Sequence, residues 1–343
     1  MCKYCCIIPD DVLRRLSEDK TYSAEVRRGL EQTLRFDVQL RKLREQARKL
    51  TTISQAAAPT LAALAATPAI TLYNCQGSQT LPGASVANPG KSTDKTVKRA
   101  FVTTTAVADF YKSVFGRNSI DDAGMTMMSS VHYGANYNNA FWNGTQMTYG
   151  DGDGAIFVDF TRGNDVVCHE LTHGVTQYTL QLNYSNEAGG LNESMSDVFG
   201  SMFRQWSAKQ TVAKADWLIG KYIMGPRAIA QGLTCLRDMA KPGAAHCLAP
   251  QPDHFKKYKP GMDPHYSSGI PNFAFYKIAT ALGGKSWEKA GQIWYKSIVG
   301  LGTAPNLRMK KFADRTRKVT AQLYPGDAAT ATAVDQGWKQ VGL

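Results

Sequence analysis

The chain has 343 residues, of which 43% are hydrophobic and 20% are charged, a balance that excludes a wholly disordered protein. Its 40 basic and 28 acidic residues give a formal net charge of +12. Such a charge favours anionic partners but carries no information about the fold. The longest apolar stretch, residues 56–70, is broken by Pro59 and Pro68, so we expect no membrane span.

The N-terminus, MCKYCCIIPDDVLRRL, lacks the apolar core and cleavage site of a secretory signal peptide. We therefore expect a cytoplasmic protein, or one exported by a route that needs no signal peptide. The seven cysteines are an odd number and do not suggest a disulfide framework. We expect most of them to be reduced, with a Cys235–Cys247 disulfide as the alternative.

The first 50 residues show helical periodicity. After Pro9 the apolar positions Val12, Leu13 and Leu16 share one helix face, and a second amphipathic pattern runs from residue 24 to residue 47. Residues 51–66 then contain only uncharged residues, mainly Ala, Thr, Ser and Pro. This composition is typical of an exposed connector, and we place a boundary there.

The rest of the chain is predicted to have a mixed part with strands, followed by a mostly helical part. Turn residues among β-branched residues predict hairpins over residues 70–90, and apolar spacing predicts a helix over residues 93–115. Short strands and tight turns are predicted over residues 129–160. Beyond residue 165 the pattern is mostly helical, and we find no internal repeat.

The strongest chemical signal is the run His169-Glu170-Leu171-Thr172-His173. Positions i and i+4 share a helix face, so both imidazoles can bind one zinc ion while Glu170 points at a bound water. Five-residue matches of this kind also occur by chance in unrelated helices. A third ligand is needed to separate the two interpretations.

A candidate third ligand follows in the run GGLNESMSD. Glu193 can complete a His₂Glu zinc site with one position left open for water. Asp197 lies one turn further along the same face, where its carboxylate can accept the free N–H of a zinc-binding imidazole, and Asn192 can do the same for the other histidine.

With these residues in view, HELTHGVTQYTLQLNYSNEAGGLNESMSDVFG resembles the thermolysin-like family of zinc metallopeptidases. The resemblance continues upstream through SSVHYGANYNNAFWNGTQMTYGDGDG and downstream to SSGIPNFAFY, and so covers the chain from about residue 73 to the C-terminus. The leader IIPDDVLRRL resembles the short propeptide of the protealysin-like subgroup. The resemblance thus implies a precursor.

The resemblance implies an α+β, two-domain thermolysin-like (gluzincin) fold. We expect residues 1–55 to form a helical propeptide and connector, residues 56–178 a β-rich N-terminal domain that includes the active-site helix, and residues 179–343 a helical C-terminal domain. Zn²⁺ is the implied cofactor.

The family's catalytic roles transfer to matching residues. The resemblance implies His169, His173 and Glu193 as zinc ligands and Glu170 as the general base that takes a proton from the zinc-bound water. Tyr184 and His265 match the pair that stabilises the oxyanion.

The resemblance also implies a substrate-binding edge, where an extended peptide would add a strand. The matching residues there are Asn139, Ala140 and Trp142, and Arg237 matches an arginine that binds a substrate carbonyl. An apolar pocket for the residue after the scissile bond would be lined by Phe157, Val166, Ile219 and Leu236. Each of these four is equally well explained as core, so the preference for large apolar residues is an expectation.

In the propeptide, the resemblance implies that Ile7, Ile8, Pro9 and Asp10 occlude the cleft. A cysteine switch, in which Cys5 or Cys6 binds the zinc, is the alternative. Cys168 is interpreted as a small core residue.

Two features depart from the family pattern. Asp165 and Asp216 remain from the usual calcium site, but Arg204, Leu218 and Lys221 stand where acids are expected. We therefore expect the calcium site to be degraded or absent, with Arg204 or Lys221 paired to the two aspartates. The acid that orients the catalytic histidine in relatives lies upstream of Asp263, which leaves the partner of His265 open.

We conclude that the chain is the zymogen of a zinc-dependent neutral endopeptidase, expected to cleave before large apolar residues. The alternative is a catalytically silent zinc-binding scaffold or antagonist with the same fold. Expected partners are protein or peptide substrates and the chain's own propeptide in cis. Nucleic-acid binding is not expected, because FKKYK is the nearest basic run and no reading motif accompanies it. The sequence does not determine the oligomeric state.

Overall fold

The computed structural model describes residues 5–48, 68–300 and 302–343. The predicted connector at residues 51–66 and the domain boundary at residue 55 therefore lie outside the described residues.

Residues 5–48, called the N-terminal segment below, form a short strand and two helices. These are β1 (Cys5–Cys6), α1 (Asp10–Glu18) and α2 (Ala24–Arg48). Pro9 has an extended backbone (φ −65°, ψ 147°) and directly precedes α1. Asp10 and Asp11 lie in the first turn of α1, where negative charge is favoured by the helix dipole. The predicted helix therefore begins where the sequence indicates.

A six-stranded sheet organises the N-terminal half. Its order is β1-β5-β6-β4-β2-β3, and its remaining strands are β2 (Ile70–Asn74), β3 (Ala84–Ser85), β4 (Met127–Val131), β5 (Ala140–Trp142) and β6 (Met147–Tyr149). β4 pairs in parallel with β2 and β6, and the other pairs are antiparallel. β1 occupies one edge, so the N-terminal segment extends the sheet of the catalytic part.

Helix α3 (Lys95–Phe115) packs against β2 and β4. Asp94 caps its N-terminus by accepting hydrogen bonds from the backbone N–H groups of Thr96 and Val97. Gly116 ends it with a left-handed backbone, φ 70°, which glycine adopts without steric cost. These caps account for the helix predicted over residues 93–115.

Two buried helices, α4 (Asn164–Gln177) and α5 (Asn186–Ser207), pack against each other at the centre of the molecule. Their approach is close at Gly200, where a Cβ atom would lie 2.7 Å from the carbonyl oxygen of Asp165. A larger residue there would push the helices apart. The facing surfaces of α4 and α5 carry the chemical residues described below.

The C-terminal half is mainly helical. Its elements are β7 (Leu218–Ile219), α6 (Pro226–Ala230), β8 (Arg237–Asp238), α7 (Pro264–Ser267), α8 (Gly269–Leu282), α9 (Lys289–Val299), α10 (Met309–Leu323) and α11 (Ala328–Gln340). Short 3₁₀ helices lie at Pro89–Lys91, Phe160–Arg162, Lys221–Ile223 and Phe255–Lys257. Trp294 and Trp338 stack in its core with ring centroids 5.6 Å apart. Within the described residues, no helix combines the length and apolarity needed to cross a membrane.

Candidate active site

A metal-binding group forms where α4 faces α5. His169 and His173 lie one turn apart on α4, and Glu193 reaches them from α5. The two Nε2 atoms are 3.2 Å apart. Glu193 Oε2 lies 3.4 Å from His169 Nε2, and Glu193 Oε1 lies 3.4 Å from His173 Nε2. Donors that bind one tetrahedral zinc ion at about 2.0–2.1 Å lie about 3.3–3.4 Å apart. The triangle of donors therefore has the dimensions of a zinc site.

Burial at this group also favours a metal. His169 and Glu193 are fully buried, and Glu193 Oε2 accepts no hydrogen bond. Burial would by itself raise the pKa of Glu193, but the neighbouring His265, His173 and His169 side chains hold it well below its usual range. An ionised buried carboxylate with an unused oxygen fits a cation ligand.

The outer nitrogen atoms of both histidines have hydrogen-bond partners. His169 Nδ1 lies 2.9 Å from Asp197 Oδ1, and His173 Nδ1 lies 2.9 Å from Asn192 Oδ1. These bonds fix the tautomer in which each Nε2 lone pair faces the metal position. Both contacts expected from the sequence are present.

Asp197 is itself held by further buried groups. Arg237 donates two hydrogen bonds to its carboxylate, at 2.7 and 2.9 Å, and Asn272 Nδ2 donates another at 2.8 Å. Burial opposes ionisation, but Arg237 and His169 lower the pKa of Asp197 to about 2. The carboxylate that orients His169 is therefore ionised at neutral pH.

Glu170 projects from α4 beside the metal position and is fully buried. The backbone N–H of Trp142 donates to its Oε2 at 3.1 Å, while Oε1 has no hydrogen-bond partner. Burial raises the pKa of Glu170 well above its usual value. One oxygen is thus fixed and the other is available to a reactant.

Tyr184 and His265 lie next to each other and next to Glu193. The Tyr184 hydroxyl lies 3.1 Å from His265 Nε2 and also donates to Glu193. His265 Nδ1 lies 2.7 Å from Asp263 Oδ1. The sequence left the partner of this histidine open, and the structure identifies it as Asp263, which also caps α7 by accepting the His265 N–H.

The cleft between the two halves is filled by the N-terminal segment. β1 pairs with β5 in antiparallel register, Cys6 opposite Phe141, and Ile7 N donates to the Ala140 carbonyl at 3.2 Å. Asn139 continues the pairing through its side chain, accepting from Ile8 N at 3.0 Å and donating to Ile8 O at 3.3 Å. An extended peptide thus lies along the edge predicted to bind substrate.

Two side chains of the site contact carbonyl groups of this peptide. His265 Nε2 lies 2.6 Å from the Cys6 carbonyl oxygen, and Arg237 donates to the Ile7 carbonyl at 3.1 Å. Ile7 and Ile8 are completely buried. The Cys6–Ile7 peptide bond therefore lies beside His265 and Arg237 of the candidate site.

Models of one family match most of the chain. The catalytic domain of thermolysin metallopeptidases matches residues 42–177, and the alpha-helical domain of thermolysin metallopeptidases matches residues 180–343. The chain belongs to the thermolysin metallopeptidase family. Its zinc metalloendopeptidase class and its two-domain thermolysin fold, both predicted from the sequence, are confirmed. Zinc is the metal that this family uses.

Individual relatives agree with this membership. An extracellular metalloprotease of Pectobacterium carotovorum subsp. carotovorum is 42% identical over 283 residues, which cover 79% of this chain and 80% of that protein. Protease PrtS of Photorhabdus sp. (strain Az29) is 41% identical over 285 residues, covering 79% of this chain and 76% of that protein. The structure of a protealysin precursor from Serratia proteamaculans aligns over 98% of this chain and 99% of its own, with a TM-score of 0.82 and 38% identity. The predicted likeness to a protealysin-like precursor is therefore confirmed.

Several contacts of this thermolysin-family site were missed from the sequence. Asp37 of α2 binds the Asn139 side chain, and Asn272 of α8 binds Asp197. Ser196 Oγ lies 3.1 Å from His173 Nδ1, and Gln177 accepts the indole N–H of Trp142. None belongs to a recognisable motif, because each partner comes from a distant part of the chain or from within a helix already assigned.

The four residues predicted to line an apolar pocket are all buried in the main core. They share that cluster with Ile7 of the N-terminal segment. Ile219 lies in β7, and Leu236 directly precedes β8, the strand paired with β7. Phe157 forms an isolated bridge with Met224. The structure therefore shows these four residues as core residues, and their role as a pocket for substrate stays a prediction.

The region where thermolysin-like relatives were expected to carry calcium is occupied by ion pairs. Arg204 contacts Asp165 at 3.4 Å and also pairs with Asp216, and Lys221 contacts Asp216 at 3.1 Å. The Gly220 N–H donates to Asp165 at 2.8 Å. The pairs expected from the sequence are present.

The position of the Cys6 side chain bears on the cysteine switch that the sequence left as an alternative. The Cys6 side chain packs in a second cluster with Tyr133, Tyr137 and Phe141, and the metal-binding groups among the described residues do not include it. A cysteine switch through Cys6 is therefore not supported, and the Cys5 side chain lies outside the described part. Cys168 is a buried core residue, as expected.

Proposed function

We propose that the chain is a zymogen whose N-terminal segment is an inhibitory propeptide bound in the manner of a substrate, and that the released enzyme cleaves before large apolar residues. The observation that carries the proposal is the pair of contacts at the Cys6–Ile7 peptide bond, from His265 to the Cys6 carbonyl and from Arg237 to the Ile7 carbonyl. His265 Nε2 itself lies 3.7 Å from Glu193 Oε2 of the metal-binding group. The domain limits expected from the sequence, residues 1–55, 56–178 and 179–343, belong to the same proposal.

The binding direction of the N-terminal segment supports a substrate-like register. The Cys6 carbonyl, contacted by His265, corresponds to the carbonyl of the bond to be cleaved. Ile7 then occupies the position after that bond, with its carbonyl held by Arg237 and its side chain fully buried in the apolar cluster. A pocket that fits isoleucine supports a preference for large apolar residues there, at about 1–3 kcal/mol per methylene gained or lost.

Substrate affinity in this scheme comes from the edge of the sheet. Asn139 offers both an acceptor and a donor to the backbone of the second residue after the scissile bond, as it does to Ile8. The Ala140 carbonyl accepts from the N–H of the first residue after the scissile bond, as it does from Ile7. Backbone pairing of this kind accepts many sequences, so selectivity rests on the apolar pocket.

Three side chains around the metal position, Glu170, Tyr184 and His265, act on the substrate in this scheme. Zinc held by His169, His173 and Glu193 supplies Lewis acidity and a water of lowered pKa. Glu170, with Oε1 free and Oε2 fixed by Trp142 N–H, accepts a proton from the attacking water and passes it to the leaving amine.

Tyr184 and His265 act on the carbonyl oxygen of the scissile bond. As the scissile carbonyl oxygen gains negative charge, the Tyr184 O–H and the His265 Nε2–H donate to it, and donors fixed in advance need no reorganisation. Asp263 keeps the His265 ring oriented through Nδ1. In the full-length chain, the Cys6 carbonyl takes the place of this substrate carbonyl beside His265.

The anchoring of the N-terminal segment on both halves supports latency. α1 reaches the C-terminal half, where Arg15 donates to the Leu248 carbonyl at 2.7 Å and Asp11 accepts from Tyr266. α2 reaches the sheet, where Thr33 accepts from the Asn138 N–H at 3.0 Å. A peptide tied at several points cannot leave the cleft as a cleaved product does.

The deciding experiment compares the purified full-length chain with Glu170→Gln and with Glu288→Gln, an exposed control. We expect the chain and the control, loaded with zinc, to lose the N-terminal segment and then cleave casein before Ile, Leu and Phe. Glu170→Gln should lose activity by about 10²–10⁴-fold, because its amide cannot accept the proton. Intact mass and sequencing of the casein fragments give both readouts.

Two outcomes would contradict the proposal. Cleavage without preference at the residue after the bond would remove the assigned pocket. Absence of casein cleavage even after an added protease has removed the segment would leave only the zinc-binding scaffold.

A further inference from the structure

A second group of metal-ligating side chains lies outside the active site. Cys235, His246 and Cys247 each place a donor atom within 4.8 Å of the other two. The thiols are buried, at 0% and 2% exposure, and the two sulfur atoms are 3.8 Å apart. No residue of this group belongs to the His169, His173 and Glu193 site.

The backbone holds the two cysteines side by side. Cys235 and Cys247 form a parallel bridge, flanked by hydrogen bonds from Thr234 N to His246 O at 3.0 Å and from Leu248 N to Cys235 O at 2.9 Å. A turn closes the loop at Cys247, whose N–H donates to Ala244 O at 3.1 Å. The sulfur positions are thus set by paired backbone on both strands.

The distance between the sulfur atoms matches metal ligation. Two thiolates bound to one tetrahedral zinc ion at about 2.3 Å lie about 3.8 Å apart, whereas a disulfide requires about 2.05 Å. The observed separation of 3.8 Å, an S–H···S contact between two thiols, is also the separation that two thiolates on one zinc ion require.

The histidine of the group is oriented by a carboxylate. Asp238 Oδ2 lies 3.1 Å from His246 Nε2, and Asp238 Oδ1 is fixed by the N–H groups of Ala240 and Lys241 at 2.8 and 3.0 Å. Metal-binding histidines usually donate their other ring N–H to such a carboxylate. With Nε2 bound to Asp238, Nδ1 is the nitrogen left for a metal.

We propose that Cys235, Cys247 and His246 form a second zinc site, with water as the fourth ligand. The His246 side chain is 34% exposed, which provides the entry path for the ion and the water. On binding, each thiol releases one proton and the two thiolates and the imidazole replace water on the ion, so no oxidation is involved. Two thiolates and an imidazole are a donor set that zinc favours.

The location suggests a brace for β8 (Arg237–Asp238), the strand that carries Arg237. Cys235 directly precedes Leu236, whose carbonyl accepts from Ala249 N at 3.0 Å. The next residue, Arg237, binds the Ile7 carbonyl. An ion bound by Cys235 and Cys247 would hold together the chain segment that contains Cys235 and Arg237 and the segment that contains Cys247. The inference does not depend on the proposed cleavage preference.

The test uses the full-length Glu170→Gln chain, reduced and loaded with Co²⁺ in place of zinc. Cobalt bound to thiolates shows a charge-transfer absorption band in the near ultraviolet, and the His₂Glu site contains no sulfur. We expect this band, and one more zinc ion per chain than in the Cys235→Ser/Cys247→Ser variant, which should lack the band. Cys75→Ser, which removes another buried thiol, should keep both signals.

Asp238→Asn keeps both thiols and tests the site if the double variant fails to fold. It should weaken cobalt affinity by about 10- to 100-fold, while Asp253→Asn, an exposed control, should not. A band that survives in the double variant, an absent band in the reduced chain, or unchanged affinity in Asp238→Asn would each overturn the proposal.

Discussion

Asp37 and Asn139 lie 102 residues apart in the sequence and are joined by a hydrogen bond of 2.7 Å from Asn139 Nδ2 to Asp37 Oδ2. Both side chains are completely buried. The other oxygen of Asp37 accepts from the Tyr137 hydroxyl at 2.6 Å. A carboxylate of α2 therefore holds the same asparagine that binds the backbone of Ile8, and links the helix to the occluded edge.

We expect Asp37→Ala to shorten latency. Removing the acceptor leaves the Asn139 amide and the Tyr137 hydroxyl without this partner, at a cost of about 1–3 kcal/mol to the bound segment. Self-processing, followed by intact mass at fixed concentration, should be faster. Glu31→Ala, an exposed change on the same helix, is the control. The processed enzymes should have equal kcat/KM, because Asp37 leaves with the segment. Equal processing rates for Asp37→Ala and the unmutated chain would refute the role of Asp37 in holding the segment.

Asp197→Asn should weaken zinc binding. The carboxylate that accepts from His169 and pairs with Arg237 becomes a neutral amide, and such outer partners change metal affinity by about 10- to 100-fold. Zinc competition with a chelator measures the effect. Asp253→Asn, whose carboxylate pairs with the exposed Lys257, should leave the affinity unchanged. An equal loss in both variants would contradict the assignment.

The Arg204 ion pairs are proposed to replace calcium. We expect the Tm of the chain to be the same in calcium and in a calcium chelator. Arg204→Met should lower the free energy of unfolding by about 3–5 kcal/mol, because it leaves the buried Asp165 without this partner. Lys221→Met, at the exposed end of the same group, should cost less than about 1 kcal/mol. Saturable calcium binding at Asp165 and Asp216 would show the proposal to be wrong.

His132 predicts a dependence of stability on pH. Its ring lies 2.8 Å from Asp151 and 2.9 Å from Asp94, and the hydrogen bond to Asp151, against the effect of burial, raises its pKa to about 9 from 6.5. The folded chain therefore holds this proton more tightly than the unfolded chain, and the contribution is complete below about pH 6.5. It is lost as pH rises towards 9.

We expect the Tm of the Glu170→Gln chain, which does not digest itself, to fall between pH 6.5 and 9. Adding His132→Gln should lower the Tm at pH 6.5 and flatten the dependence, since glutamine carries no proton to lose. Parallel curves for the two chains would show that another group is responsible.

Much of the site follows from local rules that operate within one helix. The spacing of His169 and His173 places both on one face of α4, and the spacing of Glu193 and Asp197 does the same on α5. The helix starting after Pro9 and the helix capped by Asp94 follow from residues next to each terminus. These features depend on neighbours a few residues away, so the sequence alone determined them.

Only the tertiary structure decided which distant groups meet. Asp37 reaches Asn139 because α2 packs over the sheet, and Cys6 reaches His265 because β1 completes the sheet edge. Cys235 comes to Cys247 through backbone pairing across a loop. Such contacts depend on the packing of whole elements and leave no periodic signal in the sequence, which is why His169, His173 and Glu193 could be singled out from the sequence while the contacts of Asp37 and Asn272 could not.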